Sequence, residues 1–572
     1  MSSQVLNGIA ASDGIAIAKS YRLVDPDLSY SKTKITDVEA EVTRLSSALV
    51  RAKKAVTQIK ANAVKTMGAH EAAVFDAHLE ILSDPELIKQ IVRLIRDQKM
   101  NAEAALTSVT NDYINLFENM ADNPYMQGRS SDVKDITKRV MANLLGVTLP
   151  NPALIDHEVI IIAHDLTPSD TAQLDRRFVK GFITDVGGRT SHSAIMARTL
   201  EIPAVVGVQN ATATIKTGDT VIVDGLHGRA VDAPNAKEIQ SYQSAAADYA
   251  EQRIEWRRLK FAQSLTKDGV SHLITANIGT PDDLQAVIDN GADGIGLFRS
   301  EFLYMNTDDW PTEDQQFEAY RSVVAKLSDQ PVVVRTMDIG GDKGLPYLQL
   351  PNEMNPFMGY RAIRISLTRK DIFRTQLRAL IRASAFGNLW IMFPMIATLA
   401  EFRQAKQVYL EERQRLIDQG TSVGQIKIGI MVEVPAAAVL ADQFAKEVDF
   451  MSIGTNDLIG YTMAADRTNE RVSYLYQPYN PAILRLIKQV IDACHQEGKV
   501  AAMCGEMAGD QIAVPILVGM GLDEFSMSAT SILKTRALFR RLDSTKMAEL
   551  AQKAVEAETN DDVIRLVDET VF

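Results

Sequence analysis

The sequence predicts a multi-domain α/β protein: a C-terminal (β/α)8 barrel preceded by an α/β domain into which a helical bundle is inserted. Three observations carry this. Eight short apolar runs alternate with amphipathic helical stretches after about residue 270. Residues 37–145 are rich in Ala, Leu, Lys, Glu and Gln at helical spacing and poor in glycine. Between 150 and 231 strand-like apolar runs return. A chain of 572 residues has room for about three to five domains.

Each element follows from local pattern. Gly8 and Gly14 punctuate alternating apolar and small residues, which predicts a short strand or two over 8–23. Within 37–145, Asp84-Pro85-Glu86 reads as a helix start, with Asp capping and Pro in the first turn. Strands are expected at 159–163, 182–185, 205–208 and 221–223, with a helix at 193–200. The N-terminal strand has no other sheet to join. The α/β domain is therefore drawn from 1–30 and 146–232, with 31–145 inserted. Residues 235–262 are polar and contain neither Gly nor Pro, so 233–262 is expected to be a solvated linker helix. The barrel takes 263–572, with strands at 273–277, 294–298, 332–336, 390–395, 429–434, 450–454, 500–504 and 524–527.

Composition bounds the function. Hydrophobic residues make up 46% and charged residues 23%, an ordinary globular balance that excludes a disordered chain. A net charge of −12 argues against nucleic acid as the main partner, but not against a local basic pocket for a small phosphorylated ligand. Two cysteines, Cys494 and Cys504, make no disulfide framework and suit a reducing compartment. The first residues lack the pattern of a secretory signal, and no apolar run reaches about 18 residues. A cytoplasmic location is expected.

Catalytic groups of such a barrel stand at the C-terminal ends of its strands. There the sequence places Arg299-Ser300-Glu301, Arg335 followed by Asp338, Gly340, Gly341, Asp342 and Lys343, then Arg361 and Arg364. Further on come Glu433, Gly454-Thr455-Asn456-Asp457, Asp466-Arg467 and Cys504-Gly505-Glu506. An arginine alone most often makes a structural ion pair; several on one rim point to a phosphate or carboxylate ligand. Glu433 and Asp457 suit a hard cation such as Mg²⁺. Cys494 reads as a packing residue in a helix. Cys504 closes a strand beside arginines, where an accessible thiolate form is expected and a proton could pass to or from carbon.

A second constellation runs from Gly187 to Arg198. A strand leads into Gly187-Gly188-Arg189-Thr190-Ser191, and His192 falls at the start of a helix. A lone histidine more often caps or packs. Here, free N–H groups at the helix N-terminus and Arg198 would stabilise a phosphoryl group on its ring.

Residues 187–198 resemble the phosphohistidine motif of the phosphoenolpyruvate-utilising enzymes. Residues 296–301, 335–338, Asn355-Pro356, 454–457 and 504–506 resemble the substrate domain of the same family. The domain order and the helical insertion are similar to the branch that begins the bacterial sugar phosphotransferase system, and the resemblance covers essentially the whole chain. It implies that phosphoenolpyruvate binds in the barrel with Mg²⁺ on Glu433 and Asp457. Arg299, Arg335, Asn456, Asp457 and Arg467, with Lys343 and Arg361, would hold the substrate. His192 would accept the phosphoryl group, and Cys504 would protonate the enolate to give pyruvate. Thr171 would orient the imidazole. The phosphoryl would then pass to a histidine of the carrier protein HPr, docked on the helical insertion, and the chain would form a homodimer through its barrel. Nucleic acid and membrane insertion have no part in this reading.

Glu71, Asp76, Glu80 and Asp84 are spaced to share a helix face and would form an acidic patch for the carrier, although such a run is most often a solvated face. Dikinases and synthases of the family add a nucleotide-binding domain, for which 37–145 is too short and lacks a glycine-rich loop. A non-catalytic phosphoryl relay is the rival of another class; an intact rim of Arg, Glu, Asp and Cys argues against it.

Overall fold

The computed structural model describes all residues except 1–2, 25, 68–73, 119–123, 148, 151–154, 167–169, 171–173, 176, 189–190, 306, 308, 342–343, 346, 349, 351–352, 467–468 and 470. The chain divides into two compact units, Met1–Ala250 and Glu251–Phe572.

The first unit contains one eight-stranded sheet. Its strands are β1 (Gln4–Asn7), β2 (Ile9–Ser12), β3 (Ile15–Leu23), β4 (Val159–Ala163), β5 (Val179–Thr184), β6 (Ala204–Val206), β7 (Thr220–Asp224) and β8 (Arg229–Asp232). Their order is β1-β8-β7-β3-β4-β5-β6-β2. Residues 8–23 thus make two strands, as the pattern predicts, with the unforeseen β1 ahead of them, and β3 lies inside the sheet, parallel to β4 and antiparallel to β7. β1 and β8 escape pattern reading because they are only four residues long, and β1, paired with β8 at the end of the order, buries only Leu6. β1 and β2 are separated by Gly8 alone yet stand at opposite ends of the order, so the sheet curls back on itself. Gly8 sits at that closure, where a Cβ would lie 2.7 Å from the Val206 carbonyl oxygen.

β4 explains its own continuous apolar run. Val159, Ile161 and Ala163 enter one core with Phe182, Ala194 and Ala197, while Ile160 and Ile162 enter another with Ile183, Val205 and Val223. Both faces are covered, so alternation disappears.

Between β3 and β4 the chain forms α1 (Val38–Met67), α2 (Val74–Ile81), α3 (Pro85–Gln98), α4 (Ala102–Glu118) and α5 (Pro124–Leu145). These share a separate core that includes Leu45, Val56, Ile91, Ile95 and Val140. On α3 the buried Leu87, Ile91 and Ile95 recur every four residues. Asp84 caps α3, accepting from the Glu86 amide at 2.8 Å, with Pro85 in its first turn. After β5 comes α6 (His192–Leu200), and after β8 comes α7 (Ala236–Arg257), which buries none of its residues. The division between the two units falls within α7.

The second unit is a closed parallel barrel. Its strands are β9 (Leu273–Ile278), β10 (Ile295–Arg299), β11 (Val332–Arg335), β12 (Leu389–Phe393), β13 (Lys427–Val432), β14 (Phe450–Ile453), β15 (Val500–Met503) and β16 (Glu524–Met527). Leu297, Val333, Trp390, Met392, Met431 and Phe450 pack together with Cys504, while Phe298, Val332, Val334, Ile391, Phe393, Ile430 and Val432 join the larger core shared with the surrounding helices. Several strands stop a residue or two before the apolar run does. Thr336, Glu433, Gly454 and Cys504 lie just past the ends of β11, β13, β14 and β15, where the chain turns out of the ladder into the rim. Among the described residues no helix is long and apolar enough to cross a membrane.

Candidate active site

The barrel places a row of alternating charges at its C-terminal rim. Glu301, just past β10, accepts from Arg335 Nη2 at 2.7 Å. Asp338, three residues beyond Arg335, meets Nη1 of the same guanidinium at 3.0 Å. Asp338 also takes Arg361 Nη2 at 3.0 Å, and that nitrogen lies 3.3 Å from Asp457 Oδ2. The row therefore reads Glu301, Arg335, Asp338, Arg361, Asp457, and all but Asp457 are buried. Burial works against the charge on Arg335, but Glu301, Asp338 and Glu433 outweigh it and hold its pKa above the ordinary arginine value. Arg361 behaves alike: desolvation is overcome by Asp338 and Asp457.

Two local features seat Arg361. Gly340, at φ +104°, passes so close that a Cβ would lie 2.6 Å from the Arg361 Cβ. Tyr461, one turn after Asp457, accepts from Arg361 Nη1 at 3.1 Å and donates to the Phe357 carbonyl at 2.5 Å. Tyr461 was not foreseen, although its spacing of four from Asp457 is the available signal. Glu301 and Asp338 were seen in sequence only as rim charges; their clamp on Arg335 depends on two different strands.

Arg299 differs from these arginines. It ends β10, and its side chain reaches solvent. The walls of the mouth crowd it, and desolvation, then the like charge of Arg335, lowers its pKa. An incoming anion would relieve that repulsion. Arg364 instead donates to the carbonyls of Met358 and Gly359, both at 2.7 Å, and holds its own loop.

Glu433 is buried just past β13 and accepts from the Met395 amide at 2.6 Å. Burial, then Asp457 and Asp338, pushes its pKa up to about 8. Crowded carboxylates with oxygen donors only are what a divalent cation relieves, so Glu433 and Asp457 fit such an ion. Among the described residues no three His, Cys, Asp or Glu side chains form a complete metal cage. Two carboxylates leave the remaining positions of a divalent cation to other oxygen donors. Asn456, on the same turn as Asp457, faces the next loop, where its Oδ1 lies 3.5 Å from the Glu506 amide.

Cys504 lies just past β15 and is 5% exposed. Desolvation raises its thiol pKa to about 11, against the opposing pull of the Ser452 hydroxyl and Arg335. This corrects the expectation of an accessible thiolate: burial outweighs the arginines, and at neutral pH the group carries its proton. Its chemistry is then that of an acid. Gly505 is required beside it, since a Cβ there would lie 1.8 Å from Thr455 Oγ1. Buried polar atoms without a partner gather at this rim: Glu301 Oε2, Arg335 Nε, Thr336 Oγ1, Arg361 Nε and Thr455 Oγ1. Such a cluster marks a place that a polar ligand or water completes. Cys494, fully buried in the helix Pro481–Gln496, is a packing residue as expected.

In the first unit, His192 is the first residue of α6, preceded by Ser191 as its cap. Ser191 Oγ accepts from the Ala194 amide at 3.3 Å and donates to the Gly188 carbonyl at 2.9 Å. Gly187 takes φ +112°, which turns the chain from β5 toward the helix. The backbone thus sets position 192 in the first turn of a helix, the end whose N–H groups and dipole favour an anion. Arg198 lies on the last turn of α6, and its Nη1 donates to the Ala11 carbonyl at 3.2 Å, tying the helix to β2. Thr171, Lys343 and Arg467 lie outside the described residues, as do Glu71 and the side chains of His192 and Asp76.

Comparison with known proteins agrees with this architecture. The PEP-binding domain of PEP-utilising enzymes matches residues 253–544, their mobile domain 155–228 and their N-terminal domain 7–129. The chain belongs to the family of phosphoenolpyruvate-utilising enzymes. Within it, the chain is similar to proteins named phosphoenolpyruvate-protein phosphotransferase. That of Enterococcus faecalis is 61% identical over 571 residues, covering 99% of each chain. That of Listeria innocua is 60% identical over 564 residues, covering 98% of each. That of Latilactobacillus sakei is 62% identical over 558 residues, covering 97% of each.

Proposed function

We propose that this chain is a phosphoenolpyruvate–protein phosphotransferase that phosphorylates itself on His192 and then passes the group to a histidine of HPr. The observation that carries it is a clamped arginine row, a carboxylate pair and a protonated thiol on one barrel rim. Phosphoryl transfer needs positioning and charge stabilisation more than covalent help, and carbon protonation needs an acid at neutral pH. Both are supplied there.

Arg299, Arg335 and Arg467, with Asn456, Lys343 and Arg361, hold phosphate and carboxylate. Glu433 and Asp457 hold Mg²⁺. The ion, when bound, neutralises charge on the phosphoryl oxygens. The His192 ring nitrogen forms a bond to phosphorus as the bridging P–O bond breaks, leaving the enolate of pyruvate. Cys504 gives its proton to the terminal carbon of that enolate and regains one from water. Thr171 and Arg198 support the phosphohistidine.

The domain roles follow the same reading. The α/β domain of 1–30 and 146–232 carries the phosphoryl, 31–145 docks HPr, 233–262 is the hinge, and 263–572 binds substrate and joins two chains. A cytoplasmic location, where phosphoenolpyruvate is made, fits this role.

Labelled phosphoenolpyruvate with Mg²⁺ should label wild type and not His192→Ala; chelation should prevent it, and added HPr should remove the label. No label on wild type would overturn the reading. Phosphoenolpyruvate formed from ATP and pyruvate would instead favour a synthase or dikinase. Asp84 caps α3 and does not share the α2 face with Glu80, so Glu80 alone is reversed: Glu80→Lys should slow transfer to HPr and leave self-phosphorylation intact.

A further inference from the structure

The buried side chain of Gln376 joins the two loops that carry the carboxylate clamp on Arg335. Gln376 lies on the helix Lys370–Ala383 and is 1% exposed. Its Oε1 accepts from the Met337 amide at 3.0 Å. Its Nε2 donates to Ser300 Oγ at 3.1 Å and to Tyr320 Oη at 3.1 Å. The amide orientation follows from its partners, since the Met337 N–H needs an acceptor.

Ser300 directly precedes Glu301, and Met337 directly precedes Asp338. Glu301 and Asp338 grip opposite nitrogens of one guanidinium, at 2.7 and 3.0 Å. One amide therefore spans the backbone neighbours of both jaws. Ser300, Met337 and Tyr320 are all buried, so water does not compete for these bonds. A side chain that only filled space here would need neither an acceptor nor two donors. The oxygen of Gln376 is matched to the loop after β11, and its nitrogen to the loop after β10 and to the Tyr320 helix.

We propose that Gln376 is a positioning residue for substrate binding: it sets the separation of the Glu301 and Asp338 loops and so fixes the direction in which Arg335 presents its guanidinium. This rests on the proposed reaction, in which Arg335 meets phosphoenolpyruvate. A displacement of about 1 Å in such a group is enough to cost one to two orders of magnitude in rate.

The test is steady-state phosphorylation of HPr with phosphoenolpyruvate varied. Gln376→Met keeps the volume and removes all three bonds. It should lower kcat/KM for phosphoenolpyruvate about tenfold, chiefly through KM, and leave acceptance of phosphoryl from phosphorylated HPr at the wild-type rate. In a Glu301→Gln background, where one jaw is already weakened, the same substitution should cost less than about twofold. Independent losses that multiply in the double variant, or an unchanged KM in the folded single variant, would overturn the inference. Should Gln376→Met fail to fold, Ser300→Ala removes the β10 arm alone; it should raise KM about threefold, and an unchanged KM would overturn the inference. A wild type that takes no phosphoryl from phosphoenolpyruvate overturns the function itself, and this inference with it.

Discussion

Glu524→Gln should make the barrel more stable at pH 8 than the natural carboxylate does, and the gain should vanish toward pH 5. Glu524 opens β16, at the rim opposite the site, and is 1% exposed. Its Oε1 accepts from Thr275 Oγ1 at 2.8 Å, while Oε2 has no partner. Gly296 packs so closely that a Cβ there would lie 2.5 Å from Oε1. Burial raises the carboxyl from 4.5 to about 7; the Thr275 bond opposes this, the Asp523 charge adds to it, and Lys427 lowers it. Between those pH values the folded state keeps a proton that the unfolded chain has lost. Stability therefore falls as pH rises through that window. At 1.36 kcal/mol per pKa unit the loss is about 3 kcal/mol, complete above pH 7. A glutamine keeps an acceptor for Thr275 and carries no charge. Urea unfolding followed by tryptophan fluorescence (Trp256, Trp310 and Trp390), at pH 5 and pH 8, measures the difference. A wild-type-to-variant gap that is the same at both pH values would refute the reasoning.

Cys504→Ala should slow pyruvate formation by about 10²–10⁴-fold, the range for a lost general acid, and leave His192 able to accept phosphoryl from phosphorylated HPr; coupled pyruvate detection and transfer of label check the two halves. Arg299→Ala should impair the phosphoenolpyruvate side alone, read as a rise in KM. Asp84→Ala removes the cap of α3 and should cost about 1 kcal/mol of the helical insertion, seen by thermal melting at 222 nm. Gly340→Ala forces an L side chain into φ +104° and against Arg361, so it should weaken both folding and substrate binding, measured by melting temperature and KM.

Much of this was legible because its causes are local. The eight barrel runs were all recognisable, since period and punctuation belong to neighbouring residues. Their apolar stretches overran the observed strands at β11–β15, because Thr336, Met395, Val434, Gly454 and Cys504 are close-packed without being in the ladder. β1 and β8 were missed for the opposite reason: four-residue strands owe their existence to the strands beside them, β8 for β1, and β7 and β1 for β8.

The sequence alone determined which chemical groups stand at the ends of most barrel strands, and that Gly187-Gly188 lead to a histidine at a helix start. Only tertiary structure decided their states. Cys504 beside arginines reads as a thiol with an accessible thiolate form until burial is known, and burial pushes its pKa up. Arg335 and Arg361 read as ligand-binding cations on one rim, and only the fold shows that Glu301, Asp338 and Asp457 clamp them from separate strands. Side-chain identity is a property of one position. Desolvation and charge pairing are properties of what other strands bring within about 4 Å, and that is settled only when the barrel closes.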